Sequence, residues 1–330
     1  MGRKRIGNEY GWLPKNVYPG KSAYEFRPKS SVCIKLAPLT AKQEVVIRRY
    51  DEEKAKLDLI GGSFTELCND FFASKAFSDL ASRTQKDYLS NFKVVSPVFG
   101  KMKATGIRPE HIRLYMDKRG KKSEVRANRE HSFLSKVFSW AYERGRVTLN
   151  PCHNVRKFTE LPRERYITDE EYSAFYTCAR PELKALMEIS FCCAARQGDV
   201  MRLKREHLQE EGIFIKQGKT NKAQIKKWTP RLRQAVQLAI ESQRVPNLKW
   251  VFVSRAGQQL TTSMVTNWVT RAKAELKIRY PKIKLDFTFH DIKAKSISDY
   301  AGNKKQFSGH KSDNMIATYD RKTEVVDTHE

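Results

Sequence analysis

Apolar residues recur along this chain with two periods, and the changes between them divide it into three. In the first 62 residues the period is two. Alternation in Ala23-Tyr-Glu-Phe-Arg27 and in Val32-Cys-Ile-Lys-Leu36 predicts two short strands, with Leu13 to Tyr18 a third, because alternate side chains of a strand face opposite sides of its sheet. Pro14, Pro19-Gly20, Pro28 and Pro38 break these runs. Thr40 followed by Gln43 reads as a capping box opening a helix that carries Val46, Tyr50 and Leu57 and stops at Gly61-Gly62.

From residue 63 the period becomes helical. Ser63-x-x-Glu66 is a second capping box, and Phe64, Leu67, Cys68, Phe71 and Phe72 then fall on one helical face, an aromatic stripe that reads as core packing. Ser82 with Gln85 opens a helix bearing Tyr88, Leu89 and Phe92; Pro109 starts a third; and Ala127, His131, Leu134, Phe138 and Ala141 line a fourth. Asn150-Pro151 closes this bundle, and the charged stretch from Val155 to Arg165 reads as extended. Thr168-x-x-Glu171 begins the last part, in which Leu183 to Cys193 form a buried helix. Gly212 to Lys216 and Ala223 to Trp228 alternate as strands around Gln217-Gly-Lys219-Thr220, and helices follow from about Arg231 and from Thr262 to about Leu276. The expected architecture is multidomain α+β: a three-stranded sheet with one helix (1–62), a helical bundle (63–160), and a mainly helical domain with a small sheet (161–330).

Charge then narrows the partner. Sixty-three Lys and Arg against 37 Asp and Glu give a net charge of +26, a field that attracts polyanions, so nucleic acid is the expected partner. Arg3-Lys4-Arg5 forms a basic tail, and Lys121, Lys122, Arg126 and Arg129 crowd the start of the fourth bundle helix, against the preference of the helix dipole; both groups are expected to contact phosphates. His111 and His131 read as surface or core histidines. The six cysteines lack Cys-x-x-Cys spacing and are expected as buried thiols in a reducing cytoplasm. No apolar run is long enough for a bilayer, the N-terminus lacks the apolar core of a signal peptide, and Ile6 stands where a myristoylation motif needs Ser or Thr. Gly218-Lys219-Thr220 lacks the upstream glycine of a phosphate loop, since Ile213 stands there, and no His-Glu-x-x-His helix, Cys-rich knuckle or close acidic cluster calls for a metal.

The C-terminal stretch carries the candidate chemistry. His290 and Lys293 are three apart and share a helix face, His310 follows Gly309, and Tyr319 lies nine residues further on. A phenol is a poor nucleophile at its free pKa of about 10, so one that attacks a phosphodiester needs cations and hydrogen-bond donors around it. This set resembles the C-terminal signature of the tyrosine recombinases, the family of phage integrases, whose usual form is His-x-x-Arg, Gly-His and a nucleophilic Tyr. Arg196, set after small residues and before Asp199, is similar to the family's first box, and Lys219 in the hairpin to its mobile catalytic lysine. Lys293 departs from the pattern: an ammonium is a point charge, whereas the usual guanidinium holds two oxygens in a planar fork.

The resemblance covers nearly the whole chain and looks like a lambda-type integrase: an arm-type DNA-binding domain, a core-binding domain and a catalytic domain. It implies that Tyr319 forms a 3′-phosphotyrosyl bond without metal, ATP or other cofactor. Arg196, Lys293 and His310 would hold the phosphate, with His290 as general base and Lys219 as general acid. It further implies a homo-tetramer on core-type and arm-type attachment sites, a tail from Thr323 to Thr328 that joins a neighbour, an integration host factor and an excisionase. A type IB topoisomerase, or a non-catalytic DNA-binding protein with a decayed site, are the competing readings.

Overall fold

A computed structural model of the chain describes residues 10–28, 33–60, 62–323 and 325–329, with backbone alone for 56–60. Two compact units, residues 1–160 and 161–330, make up the chain. The Arg3-Lys4-Arg5 tail and the Leu57 side chain lie outside the described residues.

The first unit begins with β1 (Val17–Pro19), β2 (Ala23–Phe26) and β3 (Ile34–Pro38), an antiparallel sheet in that order with Val17 opposite Phe26 and Phe26 opposite Ile34. β1 starts later than alternation predicted. Pro14 has no amide hydrogen for a ladder, and residues 10–16 instead form turns that end on Asn16 at φ 66°. α1 (Gln43–Ile60) buries Val46 and Tyr50 on the sheet, Tyr50 meeting Phe26 edge-on at 4.9 Å. Thr40 does not cap it: the amides of Val45 and Val46 donate to the Lys42 carbonyl, while Pro38 to Ala41 form a turn ahead of the helix.

The bundle is built from α2 (Phe64–Ala73), the short α3 (Lys75–Ser78), α4 (Ser82–Phe99), α5 (Pro109–Gly120) and α6 (Glu124–Tyr142). Ser63 and Glu66 form the predicted capping box on α2. On α4 the capping position falls to Ala81: Gln85 Nε2 donates to the Ser78 and Leu80 carbonyls, while the Gln85 backbone amide donates to the Ala81 carbonyl. Asn91, Val95 and Phe99 of this helix are buried, Tyr88 and Phe92 pack partly buried against the same core, and Leu89 is exposed. Ala127, His131, Leu134, Phe138 and Ala141 of α6 are all buried, as their spacing requires. Beyond the bundle, residues 155–160 have no helix or strand; the Asn128 side chain holds them, donating to the Phe158 carbonyl at 2.8 Å and accepting from its amide at 2.9 Å.

The second unit comprises α7 (Asp169–Cys178), α8 (Pro181–Cys193), α9 (Gln197–Val200), the hairpin of β4 (Gly212–Lys216) and β5 (Ala223–Lys227), α10 (Pro230–Glu241), α11 (Thr262–Arg279), α12 (Asp291–Asp299), α13 (Lys304–Ser308) and α14 (Asp313–Tyr319). Thr168 and Glu171 cap α7 reciprocally. α8 buries Leu183, Ala185, Leu186, Met187, Ile189 and Cys193, so it runs through the core as its predominantly apolar sequence demands. All six cysteines are free; Cys68, Cys152 and Cys193 are buried, Cys178 and Cys192 half-buried, but Cys33 is exposed, contrary to expectation, because it precedes β3 at the sheet edge. No described helix is long and apolar enough to cross a membrane.

Between α5 and α6 the buried Glu130 carboxylate accepts from the Tyr115 hydroxyl at 2.6 Å and from the Arg119 guanidinium at 3.0 Å. Breaking a buried ion pair costs about 3–5 kcal/mol; since Arg119 keeps 24% of its side chain exposed, Glu130→Ala is expected at the low end, about 3 kcal/mol. Urea unfolding followed by circular dichroism measures this, and an unchanged midpoint would show that the pair contributes nothing.

Candidate active site

α8 ends on Ala194, a non-glycine residue in the left-handed region (φ 48°, ψ 38°), and this reversal turns the chain so that Arg196 emerges at the start of α9. Side-chain bonds then fix Arg196 to the hairpin. Its Nη1 donates to Gln217 Oε1 at 2.9 Å, and the Asp199 carboxylate accepts from the Gly218 amide at 2.9 Å, tying the hairpin turn to α9.

α12 supplies the next groups. His290 stands at its N-terminus, and Lys293 lies one turn in with only 1% of its surface exposed. The Tyr319 phenol packs against both: its Oη is 3.1 Å from His290 Nε2, and Lys293 Nζ lies 5.6 Å from its ring centre. His310 stacks on the same ring at 4.8 Å, and the Ser308 hydroxyl is 2.8 Å from its Nδ1. The end of α14 is tethered to α12 from both sides. Ser298 Oγ donates to the Tyr319 carbonyl at 3.2 Å and accepts from the Arg321 amide at 2.7 Å, while Arg321 Nη1 donates to Asp291 at 2.6 Å.

Electrostatically the site is a concentration of cations with few counter-charges. Lys293 Nζ and His310 Nε2 are buried and have no hydrogen-bond partner. Burial first, then repulsion from Arg196, holds Lys293 down to about 7, with Asp199 opposing the shift. Burial, then Lys293 and Arg196, push His310 down to about 4. His290 keeps part of its ring at the surface, yet desolvation by the packed site and then Lys293 lower its pKa too. Two orphaned polar atoms facing one phenol are what an anion with several acceptor oxygens would satisfy.

The sequence also matches known proteins. Residues 165–325 match the phage integrase family, and residues 64–158 match the phage integrase central domain. The chain belongs to the phage integrase family of tyrosine recombinases. The integrase of Escherichia phage HK022 is 25% identical over 201 residues, spanning 57% of this chain and 56% of that protein. The chain thus aligns with little more than half the length of this relative. The fold is shared with a lambda integrase dimer bound to a COC′ core site (TM-score 0.68, 18% identity, 99% of each chain). It is shared also with a lambda integrase tetramer bound to a Holliday junction (TM-score 0.63, 16% identity, 96% of this chain and 99% of that one).

Against this integrase fold, Arg196, His290, Lys293, His310 and Tyr319 gather around one point, whereas Lys219 does not join them. It is exposed in the hairpin turn, and among the described residues no hydrogen bond or ion pair ties it to the other five. In the first unit Lys121, Lys122 and Arg126 are exposed, and Arg129, also exposed, pairs with Glu160 at 2.9 Å. The sequence alone assigned no role to Gln217, Asp199, Ser308 or the Asp291–Arg321 pair. Their signal was adjacency to Lys219, Arg196, His310 and Tyr319, and only the fold shows which of these neighbours point inward.

Because the Lys293 pKa is depressed on folding, the free protein loses stability as pH falls from the ordinary lysine value toward about 7, and the cost is complete below that. Lys293→Met is therefore expected to raise the stability of the free protein at pH 7 by about 1–3 kcal/mol, and by less at pH 10. Thermal denaturation with and without inorganic phosphate checks this. Phosphate should stabilise the wild type more than the variant, and a destabilised Lys293→Met would contradict a strained cation site.

Proposed function

We propose that this chain is a site-specific recombinase that integrates and excises a phage genome by cutting and rejoining double-stranded DNA through Tyr319. The observation that carries the reading is the Tyr319 phenol, 3.1 Å from His290 and packed against the unpartnered Lys293 and His310. With the proton of neutral His290 on Nδ1, its Nε2 accepts the phenolic O–H, and the low pKa of this imidazole keeps it in the basic form. Tyr319 Oη then attacks phosphorus and the bond to the 5′-oxygen breaks. A 3′-phosphotyrosyl ester forms, and the leaving oxygen takes a proton from Lys219 once the hairpin turn swings in. Arg196, Lys293 and His310 bear the charge that builds on the non-bridging oxygens, so the protein itself supplies the electrostatics and the step needs neither metal nor ATP. Attack by the 5′-hydroxyl of a second strand reverses these bonds and conserves their energy.

The depressed pKa of Lys293 fits this role. An ammonium near half-protonation in the free protein gains its proton fully when a phosphodiester enters, which couples anion binding to charging of the site. In the bundle, Lys121, Lys122, Arg126 and Arg129 serve core-type DNA, and the N-terminal sheet with its Arg3-Lys4-Arg5 tail serves arm-type DNA. Exchange between two duplexes requires four such subunits, with the exposed Val325 and Val326 of the tail available to a neighbour. Integration host factor and an excisionase are the partners that would bend the DNA and set direction.

Plasmid recombination tests the proposal. Two directly repeated copies of a duplex selected for binding are placed on a supercoiled plasmid, with extract from a bacterial host. Deletion circles are expected with the wild type, none with Tyr319→Phe, and a yield about 10²–10³-fold lower with Lys219→Ala. Relaxation without deletion would point to a topoisomerase, and no strand breakage at all would leave a DNA-binding protein.

A further inference from the structure

His310 enters the site from the end of α13, and the carbonyls there are held by side chains of the β4–β5 hairpin. Gln224 Nε2 donates to the Gln306 carbonyl at 2.7 Å, Lys226 Nζ to the Phe307 carbonyl, and Gln217 Nε2 to the Ser308 carbonyl at 2.9 Å. Three successive carbonyls at a helix C-terminus, groups that the helix itself leaves without partners, are thus satisfied from one neighbouring element. Gly309 records how closely that element approaches. It sits at φ 68°, and a Cβ there would come within 2.6 Å of Gln224 Oε1 and 2.7 Å of Gln217 Nε2, so both backbone conformation and the hairpin amides exclude a side chain.

Lys226 is an unusual choice for this contact. Its ammonium is half-buried, bonds Gln224 Oε1 at 3.1 Å besides the Phe307 carbonyl, lies 5.1 Å from the centre of the Phe307 ring, and has no carboxylate among its hydrogen-bond partners. Burial lowers its pKa, and its charge adds to the repulsion on Lys293. A structural tie alone is made more cheaply by a neutral donor, as Gln217 and Gln224 on either side demonstrate. Gln217 extends the contact, accepting from Arg196 Nη1 at 2.9 Å and from Thr220 Oγ1 at 3.0 Å.

We propose that Gln217, Gln224 and Lys226 are positioning residues that clamp the Ser308-Gly309-His310 turn to the hairpin, so that His310 is held against Tyr319 by the element that carries Lys219. The clamp acts through His310 rather than on DNA, and this inference rests on the recombinase reading of that histidine. Movement of the hairpin and the orientation of the His310 imidazole are then coupled: a hairpin displaced from α13 leaves His310 free to turn off the phenol.

Single-turnover cleavage of a nicked duplex, selected by binding from a random pool, tests the clamp in the full chain. Gln224→Ala and Lys226→Met are each expected to slow formation of the covalent adduct about 10-fold with DNA affinity unchanged. In a His310→Ala background either change should cost less than about 2-fold, because groups acting as one unit are not additive. A 5′-bridging phosphorothiolate, whose sulfur leaves without a proton, should not rescue them. Thermal midpoints of Gln224→Ala, a half-exposed position, separate loss of fold from loss of positioning. Equal losses with and without His310, undiminished cleavage, or rescue by the bridging sulfur would each overturn the clamp. Absence of an adduct with the wild type would instead count against the recombinase reading on which it rests.

Discussion

The candidate active site is organised around one buried positive charge that no carboxylate pairs, the Lys293 ammonium. α12 makes the point with two lysines two residues apart. Lys295 is 2% exposed and reaches Asp169 at 2.6 Å, Asp299 at 2.9 Å and the Tyr166 hydroxyl at 3.2 Å, and these contacts outweigh burial and raise its pKa. Lys293 is equally buried, bonds nothing and is depressed to about 7. The first lysine is a compensated structural ion; the second is a strained ion that loss of its proton or an added anion relieves. A fold keeps such a group only when surrounding structure over-determines its position.

That over-determination can be traced. Ile292, Ala294 and Ile297 anchor α12 in the core, which leaves Lys293 no route to solvent. Ala194 in its left-handed conformation packs with Ala294, Ile297 and Tyr319, so the turn that presents Arg196 also forms the floor beneath the phenol. Asp291 bonds the Thr288 amide at 2.7 Å and Arg321 at 2.6 Å, fixing the start of α12 and a residue two beyond α14 with one carboxylate. His290 and Tyr319 are therefore set by the same helix, one by its N-terminus and the other through Ser298 near its end.

Much of this was legible in the residues. The capping boxes at Ser63 and Thr168 fixed two helix starts because both halves of each motif are local, and the apolar run from Leu183 to Cys193 announced a core helix. Thr40 and Ser82 carried the same letters and did not cap, since a turn from Pro38 and the reach of Gln85 shifted those starts by one or two residues. In the site, spacing picked out His290, Lys293, His310 and Tyr319, residues whose chemistry is unusual in combination, and the family resemblance added Arg196. The roles of Gln217, Asp199 and Ser308 were not legible, because a glutamine, an aspartate and a serine acquire meaning only from the partners that folding brings to them. Lys219 shows the opposite case: the family resemblance singled it out, while its exposed place in the hairpin turn leaves it apart from the other five.

The most direct measurement is the site of covalent attachment. The protein is incubated in EDTA with a nicked duplex carrying a 5′-bridging phosphorothiolate, digested with protease and nuclease, and the nucleotide-bearing peptide is sequenced by mass spectrometry. A 3′-nucleotide on the phenol of Tyr319 is the expected result. Attachment to any other residue, or an adduct that forms only when a divalent metal is restored, would contradict a phenol activated by the protein's own cations.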